Sequence, residues 1–121
     1  MTTTYWLVNQ TKREFVNFSH IGSFTQREIG GNPVSALLTT WYMLWNIGDS
    51  IQFVSDEIGD WPFETGISAE VSNYEDITHN LISKLVQMGV VRDEGMDWQD
   101  EDEPELFIRR IRYVWNKKIY E

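Results

Sequence analysis

The residues with the most evident chemistry lie in an acidic run from Asp93 to Glu105, which holds eight carboxylates and no basic residue. Carboxylate oxygens are calcium ligands, but the run lacks the alternate-residue spacing and the central glycine of an EF-hand loop. It could instead present negative charge to a protein that binds nucleic acid, in place of the phosphates. The plainer interpretation is a loop that faces solvent, and the sequence predicts such a loop here.

Two tryptophans accompany acids in segments that are otherwise polar. Trp98 lies inside the acidic run, and Trp61 lies in a loop of glycine, proline and acids at residues 56–66. An aromatic ring beside carboxylates is typical of an interface anchor, although either ring could also fold back onto the core. The expected partner-binding residues are Trp61, Trp98, Asp97, Asp100, Glu101, Asp102 and Glu103.

An arginine cluster, Arg109, Arg110 and Arg112, follows the acidic run and could form a second kind of binding site. Its guanidinium groups could simply pair with the neighbouring acids, or they could bind a carboxylate or phosphate bidentately. The glycine-rich segment 30–33 precedes a predicted helix, whose free N-terminal amides could hold an anion, or it could be a flexible loop before a capped helix. The alternative site, for an anionic nucleotide, consists of Arg109, Arg110, Arg112, Gly30, Gly31 and Asn32.

Catalytic and metal-binding patterns are weak. The chain has two histidines, His20 and His79, and no cysteine, which excludes a thiolate zinc site and a cysteine nucleophile. His79 lies one helical turn after Glu75, a spacing that could support a metal or an acid–base pair, but the position falls on a polar helix face. No Gly-x-Ser-x-Gly motif is present. The sequence therefore indicates no metal and no cofactor, and an enzyme ranks third among the functions considered.

Length and composition place these residues in one small domain, residues 1–121. Hydrophobic residues make up 41% of the chain and aromatic residues 14%, which is enough to form one core. Nineteen acids against ten bases give a net charge of −9, which disfavours nucleic acid and membranes as ligands and favours basic proteins. The sequence shows no signal peptide, and the apolar stretch 34–47 is too short and too polar to span a bilayer. These features predict a cytoplasmic protein.

The first half of the chain carries the pattern of a small antiparallel sheet. Residues 4–9 are aromatic and β-branched, and residues 14–18 alternate apolar and polar, as the two strands of a hairpin do. Residues 50–55 have the alternation of a third strand, and residues 67–71 are a weaker candidate. We expect an α+β fold in which the hairpin and the 50–55 strand form a sheet packed by two or three helices.

The strongest helix pattern follows the glycine-rich segment. Asn32 and Pro33 are a helix start signal, and Gly48 is placed to end the helix. The segment 19–31 before it is predicted to be a loop or a short helix. The apolar stripe of the main helix consists of Val34, Leu37, Leu38, Trp41, Leu44 and Trp45.

A second amphipathic helix is predicted from Ile77 to Gly89. Its cap is either a capping box of Ser72 and Glu75 or the side chain of Asp76.

A final helix is predicted from residue 102 onward, with Arg109, Arg110, Arg112 and Lys117 opposite its apolar face. That face consists of Phe107, Ile108, Ile111, Val114, Trp115 and Ile119. A strand over 106–115 is the competing assignment, because β-branched and aromatic residues are frequent there.

Three blocks of the sequence resemble a group of small uncharacterised microbial proteins. The segment 5–15, YWLVNQTKREF, is similar to that group's N-terminal strand of the form aromatic-x-Leu-Val-Asn-x-Thr-Lys-x-Glu. The segment 45–56, WNIGDSIQFVSD, resembles the group's Trp-x-x-Gly-Asp-x-Ile block, and the segment 74–77 resembles a third. The resemblance implies a shared fold and no assigned activity. The chain lacks the glycine-rich segment that many members carry before the second block.

Charge and aromatic content together favour a binding protein over an enzyme. We expect an acidic protein-binding inhibitor, such as a toxin-immunity protein or a phage-type protein that blocks a host defence complex, with a basic protein or basic patch as its partner. The alternative is a binder of an anionic nucleotide signal that uses the arginine cluster and the glycine-rich segment. Aromatic residues and a short sheet edge would also permit a homodimer.

Overall fold

The computed structural model of the chain describes residues 3–57 and 59–114 and shows an α+β fold. The helices and strands in these residues are, in chain order, β1 (Tyr5–Asn9), β2 (Glu14–Asn17), α1 (Gln26–Gly31), α2 (Pro33–Trp45), β3 (Ile51–Ser55), β4 (Glu75–Asp76), α3 (Thr78–Gln87), β5 (Val91–Gln99) and β6 (Phe107–Tyr113). Two 3-10 helices, Phe18–Ile21 and Ser68–Asn73, lie between them. Within the described ranges, no helix has the length and apolar content that crossing a membrane requires.

The main sheet is built around the predicted hairpin. β1 pairs antiparallel with β2 on one side and with β3 on the other, so that Leu7 lies opposite both Val16 and Phe53. The strand order is β3-β1-β2-β4, and β4 adds in parallel to β2. The predicted sheet of hairpin and third strand is therefore confirmed. The weaker strand at 67–71 is wrong: Ile67 is exposed, and residues 68–73 form a 3-10 helix.

The main helix, α2, forms where the sequence predicts it. The Asn32 side chain accepts a hydrogen bond from the Val34 amide at 2.9 Å and caps the helix. Its buried face follows the i, i+4 row of Val34, Leu38 and Tyr42. Leu44, which was expected on the apolar stripe, is 53% exposed, because its position lies off this row.

The segment before α2 contains a short helix, one of the two structures predicted for residues 19–31. Thr25 and Glu28 form a capping box at the start of α1, because each side chain accepts a hydrogen bond from the other residue's amide. Ile29 anchors this helix in the core.

The second predicted helix, α3, is also present. Gly89 follows it with a φ of +76°, in the left-handed region that glycine adopts without strain. At its start, the Asp76 carboxylate accepts the Thr78 amide hydrogen at 3.0 Å. The capping box of Ser72 and Glu75 is wrong, because Ser72 lies in a 3-10 helix and Glu75 lies in β4.

The segment after α3 differs most from the sequence expectation. β5 and β6 pair antiparallel, with Val91 opposite Tyr113 and Gln99 opposite Phe107. The predicted loop is therefore wrong over 93–99 and the predicted helix is wrong over 107–113, where the competing strand assignment is confirmed. Exposure in β6 alternates over residues 109–113 with the period of two that a strand requires. The predicted helix positions Trp115, Lys117 and Ile119 lie outside the described residues.

Hydrophobic side chains collect on both faces of the main sheet, because neighbouring residues of a strand point to opposite faces. Leu7 belongs to the larger cluster, beneath the helices, against which Ile111 and Tyr113 of β6 also pack. Val8 belongs to a smaller cluster with Val54, Phe63 and Tyr74.

Candidate functional site

The acids and arginines of the C-terminal segment meet in one hairpin, residues 91–113, which we call the acidic arm. The register of its two strands shifts between Asp93 and Met96 and again between Met96 and Trp98. Gly95 lies within the first shift and has a φ of +104°, which residues with a side chain rarely adopt. Its amide donates a hydrogen bond to the Asp93 carboxylate at 3.0 Å. The glycine thus permits the irregularity that spaces the carboxylates along β5.

Each of the three arginines of β6 pairs with a carboxylate of the facing strand. The nitrogen–oxygen distances are 2.5 Å for Arg109 and Asp93, 2.6 Å for Arg110 and Asp97, and 3.9 Å for Arg112 and Glu94. The Arg109 side chain is the most enclosed of the three, at 10% exposed. The Gly95 amide and then the Arg109 guanidinium lower the pKa of Asp93. The internal pairing that the sequence left open is therefore present.

The loop between the two strands carries the remaining acids of the run. The Asp100 carboxylate accepts the amides of Asp102 and Glu103 at 2.9 and 3.0 Å, and so shapes the turn. Four further carboxylates make no ion pair within residues 3–57 and 59–114, and they belong to Glu101, Asp102, Glu103 and Glu105. Negative charge is therefore compensated along the strands and uncompensated at the loop, which we call the arm tip (residues 100–106).

Three large apolar side chains of the acidic arm are exposed. Trp98 is 50% exposed, Met96 is 52% exposed and Leu106 is 46% exposed. A half-exposed ring on a hairpin that also carries unpaired carboxylates is the arrangement expected of an interface anchor. The structure thus places Trp98 on the same hairpin as the predicted acids Asp97 and 100–103.

Trp61 has a different environment from Trp98. Its ring packs against the smaller cluster, 4.9 Å from the Phe63 ring, and its Nε1 donates to the Thr65 carbonyl at 2.9 Å. Both its apolar surface and its polar atom are therefore used by the fold.

The members of the predicted nucleotide site line separate hollows. Gly30 lines one with Tyr5 and Ile29, whereas Arg109 lines another with His79 and Asp93. The Asn32 side chain accepts the hydrogen bond of the Val34 amide at the start of α2, so this amide is not free to bind an anion. Arg110 and Arg112 pair with carboxylates of β5, as described above.

His20 links the acidic arm to the rest of the protein. Its Nδ1 lies 3.3 Å from the Phe107 carbonyl oxygen, its Nε2 lies 3.0 Å from an Asp76 carboxylate oxygen, and its ring stacks on Phe107 at 4.3 Å. Both partner oxygens only accept hydrogen bonds, so both contacts are made when the ring carries two protons. The Asp76 hydrogen bond, opposed by burial, raises the pKa of His20.

Asp76 in turn binds the start of α3. Its second oxygen accepts the Thr78 hydroxyl at 2.5 Å, and that hydroxyl accepts the Asn17 amide at 2.7 Å. Burial raises the pKa of Asp76, but the hydrogen bonds from His20 and Thr78 outweigh burial and leave the pKa lowered. No local sequence pattern indicates this group, because His20 and Asp76 are 56 residues apart.

His79 lies in the hollow beside Arg109, at 2.8 Å from its guanidinium. In the described parts of the chain, no group of three or more histidine, aspartate or glutamate side chains is arranged to hold a metal ion.

Polar residues from two of the sequence blocks form one network at the β1–β2 turn. Asn9 is fully buried, donates to the Asp49 carboxylate at 2.9 Å and accepts the Lys12 amide at 3.0 Å. The Lys12 ammonium lies 3.3 Å from Asp49, and Thr11 accepts the Ser50 amide at 2.8 Å. These residues join the hairpin turn to the segment before β3. The polar residues that these two sequence blocks contain therefore have a structural explanation.

Comparisons of the chain with protein-family models, with curated proteins and with solved structures find no match. The resemblance to the microbial group stays a prediction.

Proposed function

We propose that the protein is an acidic inhibitor that binds a basic protein, and that the arm tip with Trp98 is its contact surface. The observation that carries this proposal is the uneven charge of the acidic arm. Acids on its strands pair with arginines, whereas Glu101, Asp102, Glu103 and Glu105 at its tip make no ion pair with the described part of the chain, and the same hairpin carries exposed apolar side chains.

This arrangement supplies the two contributions that a protein interface needs. The tip carboxylates attract a basic surface and orient it during approach, which raises association rates by about 10- to 1,000-fold where such steering operates. Trp98 and Met96 offer apolar area that the partner can bury. Trp61 contributes to the fold, so we assign the anchoring role to Trp98.

The proposed partner is a basic protein or a basic patch on a protein complex. A protein that binds nucleic acid has such a patch, and covering it blocks its activity. Toxin immunity and defence inhibition are the biological settings in which a small acidic protein with this surface would act.

The test begins with capture of a partner from the native host and continues with the purified pair. We expect the affinity to fall at least about tenfold between about 50 and 500 mM salt, because the Debye length shrinks over this range. A reduced-charge tip variant, in which three of the tip carboxylates are neutralised, should lose affinity in the same way, and its substitutions are Glu101→Gln, Asp102→Asn and Glu103→Gln.

The matched control removes three charges elsewhere, with the substitutions Glu57→Gln, Glu64→Gln and Glu75→Gln. This control should bind almost as the unchanged protein does. Trp98→Ala should weaken binding by about 2 kcal/mol or more, because central aromatic anchors dominate interface energy. Affinity that does not respond to salt, or equal affinity for the tip and control variants, would contradict the proposal.

The alternative function, binding of an anionic nucleotide, has less support because each arginine of the cluster already has a carboxylate partner. A thermal-shift screen with linear and cyclic nucleotides tests it, since a specific ligand must raise the unfolding temperature. A rise that Arg109→Lys abolishes would favour the nucleotide over the protein partner.

A further inference from the structure

One edge of the main sheet is formed by β3, in which Gln52 and Phe53 are exposed. β3 is the outer strand in the order β3-β1-β2-β4, and no strand of residues 3–57 or 59–114 pairs with its free side. Natural proteins commonly protect such an edge with lysine, proline or a bulge. The β3 sequence, IQFVS, contains no lysine and no proline. The edge is therefore able to accept another strand.

Hydrogen bonds to β1 establish which residues face that edge. The Gln10 amide donates to the Ser50 carbonyl at 2.9 Å, and the Asp56 amide donates to the Thr4 carbonyl at 3.0 Å. Backbone groups alternate in direction along an antiparallel strand, so the even-numbered residues face β1. The amides and carbonyls of Ile51 and Phe53 consequently point away from the sheet.

The C-terminal end of β3, unlike its middle, is covered by the loop that follows it. The Ser55 hydroxyl donates to the Asp60 carboxylate at 2.7 Å, and the residue is 7% exposed under the following loop. The open part of the edge is therefore centred on Phe53.

An apolar hollow adjoins this open part. Phe53 is 41% exposed and borders a space of about 210 Å³ that Tyr5, Ile29 and Gly30 also line. A water molecule occupies about 30 Å³ in the liquid, so the space is large enough for an apolar side chain. Added strands gain affinity from backbone hydrogen bonds and specificity from pockets of this kind.

Charge decides between a second copy of the chain and another protein. Two copies joined at this edge would bring together two chains that each carry a net charge of −9, and charges of like sign repel. Carboxylates also flank both ends of β3: Asp49, which is paired with Lys12 at 3.3 Å, precedes the strand, and Asp56 and Glu57 follow it. The edge thus favours a partner strand with basic residues at its ends.

We propose that the free edge of β3 binds an extended segment of another protein, which inserts an apolar side chain beside Phe53 and carries basic residues at its ends. This interface uses residues different from those of the arm tip. The reduced-charge tip variant should therefore retain it, and either proposal can fail without the other.

The test follows the backbone amides of the full-length protein by NMR during titration with a synthetic peptide. The probe is a capped heptapeptide, Lys-Val-Thr-Leu-Thr-Val-Lys, whose central leucine is matched to Phe53. We expect saturable shifts and slower hydrogen exchange at the Ile51 and Phe53 amides, while the Gln52 amide, which faces β1, changes little. Raising the salt concentration should weaken binding.

Two control peptides and one variant make the result specific. N-methylation of the central leucine removes the hydrogen bond to Phe53 and should lower affinity at least about tenfold. Glutamate in place of both lysines should also lower affinity, because the edge is flanked by acids. Phe53→Lys places a charge on the edge and should abolish binding. If this variant does not fold, the two control peptides still decide.

Three results would overturn the proposal. The first is an absence of shifts at Ile51 and Phe53 with about 1 mM peptide, the upper end of measurable weak binding. The second is equal binding of the N-methylated peptide. The third is protection of the Phe53 amide that rises with protein concentration alone, which would identify a second copy as the occupant.

Discussion

The ion pair of His20 and Asp76 should make stability depend on pH in a defined direction. The His20 ring is 13% exposed, and both its nitrogens face acceptor oxygens. Because the folded-state pKa of His20 is raised above its ordinary value of 6.5, the stabilisation is fully present below pH 6.5. It is lost as the pH rises through the folded-state pKa. The lowered pKa of Asp76 sets the other limit: its contribution is present above its ordinary value of 3.8 and lost as the pH falls through the folded-state value.

The magnitude follows from the contacts. A hydrogen bond to a charged group contributes about 1.5–3 kcal/mol, and Asp76 is 34% exposed, so solvent screening reduces this. We expect a coupling free energy between the two side chains of about 1–2 kcal/mol near pH 5.5. Above the folded-state pKa, the ring loses its positive charge and has one proton for two acceptors, so the coupling should be smaller at pH 9 than at pH 5.5.

The assay is a double-mutant cycle of His20→Gln, Asp76→Asn and the double variant, with the free energy of unfolding measured in urea at each pH. The cycle cancels the separate loss of the Thr78 hydrogen bonds in Asp76→Asn and the lost ring stacking in His20→Gln. An NMR titration of His20 provides a second readout, since Asp76→Asn should lower its pKa. Equal coupling at both pH values, or a His20 pKa that Asp76→Asn does not change, would refute the reasoning.

Three further predictions concern the interior and the bulge. Tyr42→Phe removes the hydroxyl that donates to Glu14 at 3.0 Å and should lower the free energy of unfolding in urea by about 1–2 kcal/mol; an unchanged value contradicts the buried contact. Asn9→Ala should cost about 2–3 kcal/mol in the same assay, because a fully buried side chain loses two hydrogen bonds; a cost below about 0.5 kcal/mol contradicts it. Gly95→Ala should destabilise by about 1 kcal/mol through backbone strain at φ +104°, whereas the matched control Gly30→Ala lies in a helix with open space and should not. Equal effects of the two glycine substitutions would show that the bulge tolerates a side chain.

Local patterns were sufficient for much of the fold. The alternation in 4–9 and 14–18 predicts the hairpin, and Asn32 with the following proline predicts the start of α2, because strand periodicity and helix capping depend on residues close in sequence. The main error within these elements, Leu44, arose because several apolar residues allow more than one buried stripe on α2.

The candidate site was predictable in its residue types and not in its geometry. Composition predicts the carboxylates and Trp98 as contact residues, but it predicts a loop over 93–99, because the eight acids in the run obscure the period of a strand. The 107–113 segment fits a helix or a strand by its apolar residues, and pairing with β5 selects the strand. Nothing local indicated β4, a two-residue strand formed by pairing with β2.

The amino-acid sequence by itself determines the excess of acids, which depends on composition. It also determines the hairpin and the start of the main helix, because these depend on residues that are close in sequence. Pairing of two strands that are apart in the sequence determines which carboxylates are compensated by arginines and which are available to a partner protein. Arginines of β6 compensate Asp93, Glu94 and Asp97 across the hairpin, and the tip acids lie beyond their reach. The environments of Trp61 and His20 are settled in the same way, because a side chain's exposure and protonation depend on the groups that folding brings beside it.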